Sequence, residues 1–227
     1  MNDGLLYNNL EEFDKLHEVE QPVSLETLAN KAAGPALRFV CNAGCPCGNQ
    51  AQCRGILRRA IEDAIRLANR AASRLEVRPR SAATIEMFRG IFGHPPNRPV
   101  PWGGGRDSGG IVARRYRLAV GALQTNNTQY ECANIHAFAR TLSPDRVLIG
   151  PRFWKQTDDP HGPQRFAQYR AGTILHEMMH QYFLSFILHD KRERRRNNAH
   201  CLTVFALRAS RIPPRPHHIR QCGDRPA

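Results

Sequence analysis

The segment His176-Glu177-Met178-Met179-His180 sets two imidazoles four residues apart, with a carboxylate beside the first. On an α-helix, positions i and i+4 differ by about 40° of rotation, so both rings leave the same face on successive turns. Two neutral imidazoles so placed can share one zinc ion, and the glutamate lies near enough to take a proton from metal-bound water rather than bind the metal. Zinc lowers the pKa of that water, and the carboxylate can then hand the proton to a leaving amine. The expectation is one catalytic Zn2+ held by His176 and His180, with Glu177 as general base and acid. The same five residues also arise by chance in helices whose histidines are partly buried and bonded to neighbours. The surroundings favour the catalytic reading: a mostly apolar helix over 168–188, a short strand over 145–150, and a glycine-containing loop between them. Such a strand beside the site could pair with an extended peptide.

A catalytic zinc takes three protein ligands and keeps one position open. On a straight helix, residue 189 would lie about 180° from His180 and residue 190 about 80° away. The chain must therefore turn after about Phe186, or the next helix must supply the ligand. Asp190, His189, Glu193 and His200 are the candidates.

Other elements must position these groups. From Arg54 to Leu75, apolar residues recur every three or four positions, which predicts a long helix with its arginines outward. Residues 81–92 read as a second helix closed by Gly93, and 94–110, rich in Pro and Gly, as loop. Residues 114–121 and 145–150 read as strands, 157–163 as a turn-rich loop, and 197–210 as a helix capped by Asn197 or Asn198. Residues 1–40 read as an extension with one short helix over 24–33, residues 41–211 as the folded domain, and 212–227 as an extended Pro-rich tail. His217 and His218 fall in that tail and read as incidental. Trp102 either lines the cleft or anchors a turn, Tyr182 reads as core, and 191–196 as a solvated turn. The fold class expected is α+β, mostly helical, with a small mixed sheet beside the helix that carries the histidines.

The 227 residues, 41% hydrophobic and 23% charged, fit a water-soluble globular chain, and no apolar run approaches the roughly 18 residues of a membrane span. Formal net charge is +13 and only four of the basic residues are lysines, so the excess is arginine. Such a balance attracts nucleic acid or other anions, but few aromatics and no stacking motif argue against nucleic-acid binding. Four of the seven cysteines fall within 41–53, and Cys45-Pro46-Cys47 is too tight for the usual metal pair. Disulfides in an oxidising compartment fit better, two or three of them with one thiol left over. The first fourteen residues lack the pattern of a secretory signal, which implies either a trimmed leader or a route that needs none.

The stretch Tyr169-Arg-Ala-Gly-Thr-Ile-Leu-His-Glu-Met-Met-His180 resembles the active-site segment of the deuterolysin-type zinc metallopeptidases, or aspzincins, which include the lysine-specific metalloendopeptidases. Asp145-Arg-Val-Leu-Ile-Gly-Pro-Arg-Phe-Trp154 resembles the strand and aromatic segment before that helix. Asn197-Asn-Ala-His-Cys-Leu-Thr-Val-Phe-Ala206 resembles the family's Asn-Ala-Asp helix. The likeness spans roughly 50–210, with specific motifs only in 145–206. It implies a zincin-like metallopeptidase domain, a monomer acting on protein or peptide outside the producing cell, with His176, His180 and Asp190 as zinc ligands and Glu177 as base. The family's Gly-Thr pair before the aspartate is missing, and Glu193 stands where its oxyanion-stabilising tyrosine belongs, so His189 and His200 remain alternatives to Asp190. His200 and Thr203 occupy the substrate-contacting positions of the Asn-Ala-Asp helix, without the acids that receive lysine there. Cleavage preference is therefore expected to differ from that of the lysine-specific members. The missing flanks also keep a second class open: a zincin-like binding protein without activity.

Overall fold

The computed structural model describes residues 37–41, 46, 49–101, 103–125, 127–143, 145–154, 162–182 and 198–222. The expected helix over 24–33, Cys45 and Cys47, Trp102, the run 191–196, and the candidates His189, Asp190 and Glu193 lie outside these residues, as does the side chain of Tyr182.

The longest element is α1 (Gln50–Glu76), opened by Asn49, whose side chain accepts from the Gln52 N–H at 2.9 Å. Its buried stripe of Leu57, Ile61, Ala64, Ala68, Ala71 and Leu75 follows the helical period, and alanines make the stripe narrow enough for close packing by neighbours. Helix α2 (Ala82–Phe92) starts at Ser81, which caps the Thr84 N–H, and stops at Gly93, whose φ of 78° is left-handed and favours glycine.

Next comes α3 (Ser108–Thr125), where the sequence reading had a strand over 114–121. A longer window explains the difference. Ile111 and Val112, Arg115 and Tyr116, Ala119 and Val120, then Leu123 are buried at intervals of three to four, and that face packs along α1. Ser108, Gly109 and Gly110, in the stretch read as loop, form its first turn.

Asp107 ties the start of α3 to the end of α1. Its carboxylate accepts from both Arg80 terminal nitrogens at 2.7 and 2.8 Å and from the Gly110 N–H at 2.7 Å, while Arg80 Nε donates to the Leu75 carbonyl. Burial pushes the Asp107 pKa up, but the bonds from Arg80 and Gly110 and the charges of Arg80 and Arg78 outweigh it, and the net shift is down. A depressed carboxyl pKa contributes stability that is present above the unfolded value of about 3.9 and lost as pH falls through the folded one. Asp107→Asn is therefore expected to cost about 2–3 kcal/mol at neutral pH. Thermal melts from pH 6 to 2 should show the gap to wild type closing with acid. A gap that stays constant across that range would refute the linkage.

Four short strands follow the sheet order β1-β2-β4-β3. β1 (Arg38–Val40), β2 (Gln129–Cys132) and β4 (Arg146–Ile149) are parallel, and β3 (Ala139–Ser143) runs antiparallel on the outer edge of β4. The fold is thus α+β with a small mixed sheet, and β1, at the end of the segment read as an extension, belongs to the sheet. The turn at Gly150 depends on the missing side chain: a Cβ there would stand 2.0 Å from the Ala137 carbonyl oxygen. It leads into α4 (Pro151–Trp154), whose Phe153 and Trp154 carbonyls accept from Arg170 at 2.6 and 2.9 Å.

Arg170 lies on α5 (Pro163–Tyr182), the histidine-bearing helix, which starts earlier than position 168. Helix α6 (Ala199–Ala209) is capped by Asn198, one of the two asparagines the sequence offered. The tail is not extended throughout: residues 216–222 form α7 (Pro216–Cys222), bound to α6 by the Cys201–Cys222 disulfide and by Asn198 Nδ2 donating to the Gln221 carbonyl at 3.2 Å. Two covalent or hydrogen-bonded ties in so short a helix explain why a proline-rich stretch stays on the body.

Candidate metal centre

Every residue from 171 to 179 is buried, because α5 is packed by α1, α3 and α6 and by β3. This accounts for the apolar sequence around the histidines: Ile174, Leu175, Met178 and Met179 are core. Thr173, His176, Glu177 and His180 share the remaining face and line a cleft of about 710 Å³.

His176 Nε2 lies 3.2 Å from His180 Nε2. Zinc–imidazole bonds of about 2.0–2.1 Å place two nitrogens of a tetrahedral site about 3.3 Å apart, so the pair fits one ion. The other nitrogen of His176, Nδ1, is 3.5 Å from Thr203 Oγ1, and that hydroxyl donates to the Ala199 carbonyl at 2.8 Å. With its hydrogen spent on Ala199, Thr203 can only accept from His176, which assigns the proton to Nδ1 and leaves Nε2 as the ligand atom.

Glu177 faces the sheet edge. Its Oε2 accepts from the Thr141 backbone N–H at 2.7 Å, and the Thr141 hydroxyl is shared between Oε2 at 2.9 Å and the Glu177 carbonyl at 3.0 Å. Burial pushes the Glu177 pKa up, while the two bonds from Thr141 and the charge of Arg140 pull against it. In the β3–β4 ladder Ala139 is opposite Ile149 and Thr141 opposite Val147, while Gly150 N–H bonds the Phe138 carbonyl. Alternation then turns the backbone groups of 139 and 141 away from β4, toward the cleft.

No family model matches the chain, and no curated protein or solved structure matches it.

Two further histidines close the other side. The His200 ring centroid is 4.4 Å from that of His176, and His200 Nδ1 is 2.8 Å from His218 Nδ1, a hydrogen bond in which one ring donates to the other. His176, His200 and His218 each present a ring nitrogen within 4.8 Å of the other two, so the three could hold a metal ion. Burial, then the charges of His217, His200 and Arg215, hold the His218 pKa well below the ordinary histidine value. Its ring is neutral at neutral pH, the form that binds metal.

The structure thus brings His176, Glu177, His180 and His200 together. It overturns the reading of His217 and His218 as incidental, since α7 carries both to the cleft wall. Thr203 is likewise corrected. It was expected to contact substrate, but it is fully buried behind His176 and absent from the lining, because the turn of α6 that exposes His200 turns position 203 inward. Sequence reasoning missed Thr141, which only strand pairing places beside Glu177. It also missed His218, for which the signal was a cysteine shortly after each of two histidine positions, Cys201 after His200 and Cys222 after His218.

Proposed function

We propose that this chain is a zinc-dependent endopeptidase, with His176 and His180 as ligands and Glu177 as general base and acid. The observation that carries this reading is the position of Glu177, beside the paired imidazoles and against the outer edge of an antiparallel strand. The resemblance of 145–206 to the aspzincins, and the zincin-like domain it implies, belong to the same proposal.

Zinc, when bound, supplies a Lewis acid for the scissile carbonyl and lowers the pKa of water. The remaining chemistry falls to the protein. Glu177 takes the proton from the attacking water and gives it to the leaving amine. Thr141 holds Oε2 with two donors, which fixes the carboxylate and leaves Oε1 to handle the proton. The outward carbonyls and amide of 139 and 141 offer an edge on which an extended peptide can pair. Arg140, Arg152 and Arg215 line the cleft, and Glu177 is the one carboxylate among the described lining residues. That wall suits uncharged or acidic side chains and disfavours lysine.

Metal analysis of the purified full chain, together with cleavage of a diverse peptide library, tests the proposal. One zinc per chain and cleavage that a chelator abolishes and zinc restores are expected; zinc-loaded protein that cuts nothing would count against it. Thr141→Val removes the hydroxyl but keeps the amide donor. It should lower kcat roughly tenfold, the worth of one hydrogen bond to a charged group, with zinc content unchanged. Undiminished kcat would show that Thr141 does not position the base.

A further inference from the structure

His136, His176, His180, His200, His217 and His218 all line one cleft, while few acids do. His176 and His218 are buried and His180 and His200 half-buried, while His136 and His217 are exposed, and nothing in a peptide-pairing groove requires so many imidazoles. Resting on the zinc reading above, we infer that the third protein ligand of the metal comes from the His200–His218 pair: one ring coordinates, and the other takes up its second ring nitrogen.

His176 is shared by two groupings: its Nε2 is 3.2 Å from His180 Nε2, and it clusters with His200 and His218, a cluster that does not include His180, so the pair borders an ion held by His176. The hydrogen bond between His200 Nδ1 and His218 Nδ1 is the contact a ligating histidine makes with the group that fixes its tautomer. Here that group is a second imidazole, so the two rings act as a unit. They are also held as a unit. Cys201, next to His200, is bonded to Cys222 at the end of α7, with a Cα separation of 4.8 Å, and Asn198 ties the same helix through Gln221. The disulfide thus fixes the distance between the helices that carry the two rings. His218 is 7% exposed, and the helix that carries it is held against α6 by that disulfide and by Asn198.

Three imidazoles and one open position satisfy the demands of a catalytic zinc without a carboxylate. An all-imidazole set also leaves the ion's full double positive charge at the site, which strengthens its action as a Lewis acid relative to a site with one anionic ligand. The helix carrying His200 supplies the neighbour, and the disulfide-bound C-terminal helix supplies its mate.

X-ray absorption at the zinc edge counts imidazole ligands independently of activity. Applied to the full zinc-loaded chain, it should report three imidazoles. His200→Ala and His218→Ala should each weaken zinc binding in chelator competition, by about 10–100-fold for the ring that only orients and by more for the ring that coordinates, whose loss drops the imidazole count to two, and Asp190→Ala should change neither readout. Two imidazoles with a carboxylate in wild type, and zinc binding sensitive to Asp190→Ala but not to the histidine changes, would overturn the inference while leaving the peptidase reading intact. Wild-type protein that binds no zinc would remove both. A wild-type count of two overturns the inference even where a variant fails to fold, and His189→Ala, expected to leave both the count and zinc affinity unchanged, excludes the other imidazole candidate.

Discussion

Glu177→Gln is expected to lower kcat/KM by about 10³-fold, within the 10²–10⁴ that general acid–base catalysis contributes, while the zinc content stays that of wild type. The substitution is nearly isosteric, and the amide oxygen can still accept from the Thr141 amide and hydroxyl, so the side chain keeps its seat against β3. What is lost is the ability to take a proton. Glu177 is 6% exposed and lines the cleft, and Gln at its place has no basic oxygen with which to take the proton. Steady-state kinetics on zinc-analysed protein checks the expectation, with thermal melting to establish that the variant is folded. A fully loaded variant retaining activity within tenfold of wild type would mean that another group moves the proton. His176→Ala should behave differently, since it removes a ligand: metal and activity should fall together.

The residues that bear on this chemistry were unequally legible in the sequence. The α1 stripe and the caps at Ser81, Gly93 and Asn198 are local signals, set by helical period and by side chains that bond the nearest free N–H, and they needed no tertiary information. The spacing of His176 and His180 is equally local, and the structure places their Nε2 atoms as that spacing implies. By contrast, 114–121 was misread because its Tyr116, Leu118 and Val120 suit a strand when taken alone; the helical repeat emerges only when 111–123 is read together. β1, β2 and β3 are three to five residues each, too short for a period to register, and they exist because each completes a neighbour's ladder. Thr141 could not be found without that ladder. His218 required knowing that Cys222 pairs with Cys201, a contact that composition suggests in kind and never in partner.

The second large effect is on stability, and it falls at Phe205. This side chain is fully buried, with Phe88 and Phe92 of α2 at 5.9 and 5.8 Å and Tyr116 of α3 at 6.3 Å between ring centroids. Tyr116 in turn donates to the Leu202 carbonyl at 2.6 Å, one turn before Phe205 on α6. Three helices therefore meet on one ring, and they cannot all close in when it is removed. Phe205→Ala is expected to cost about 3–5 kcal/mol, the lost transfer energy plus the residual cavity, which for a domain of this size lowers Tm by roughly 6–20 °C. Phe205 lies on the helix that carries His200 and Thr203, so the loss should reach the metal centre too. Zinc raises Tm by binding only the folded state, and the cost is best measured on metal-free protein. The zinc-induced rise should then be smaller in the variant, because a loosened α6 holds His200 and the Thr203 contact to His176 less firmly. A cost below 1 kcal/mol would mean that α6 is not seated on this aromatic cluster. An unchanged zinc-induced rise would show instead that the disulfide to α7 holds His200 in place without it.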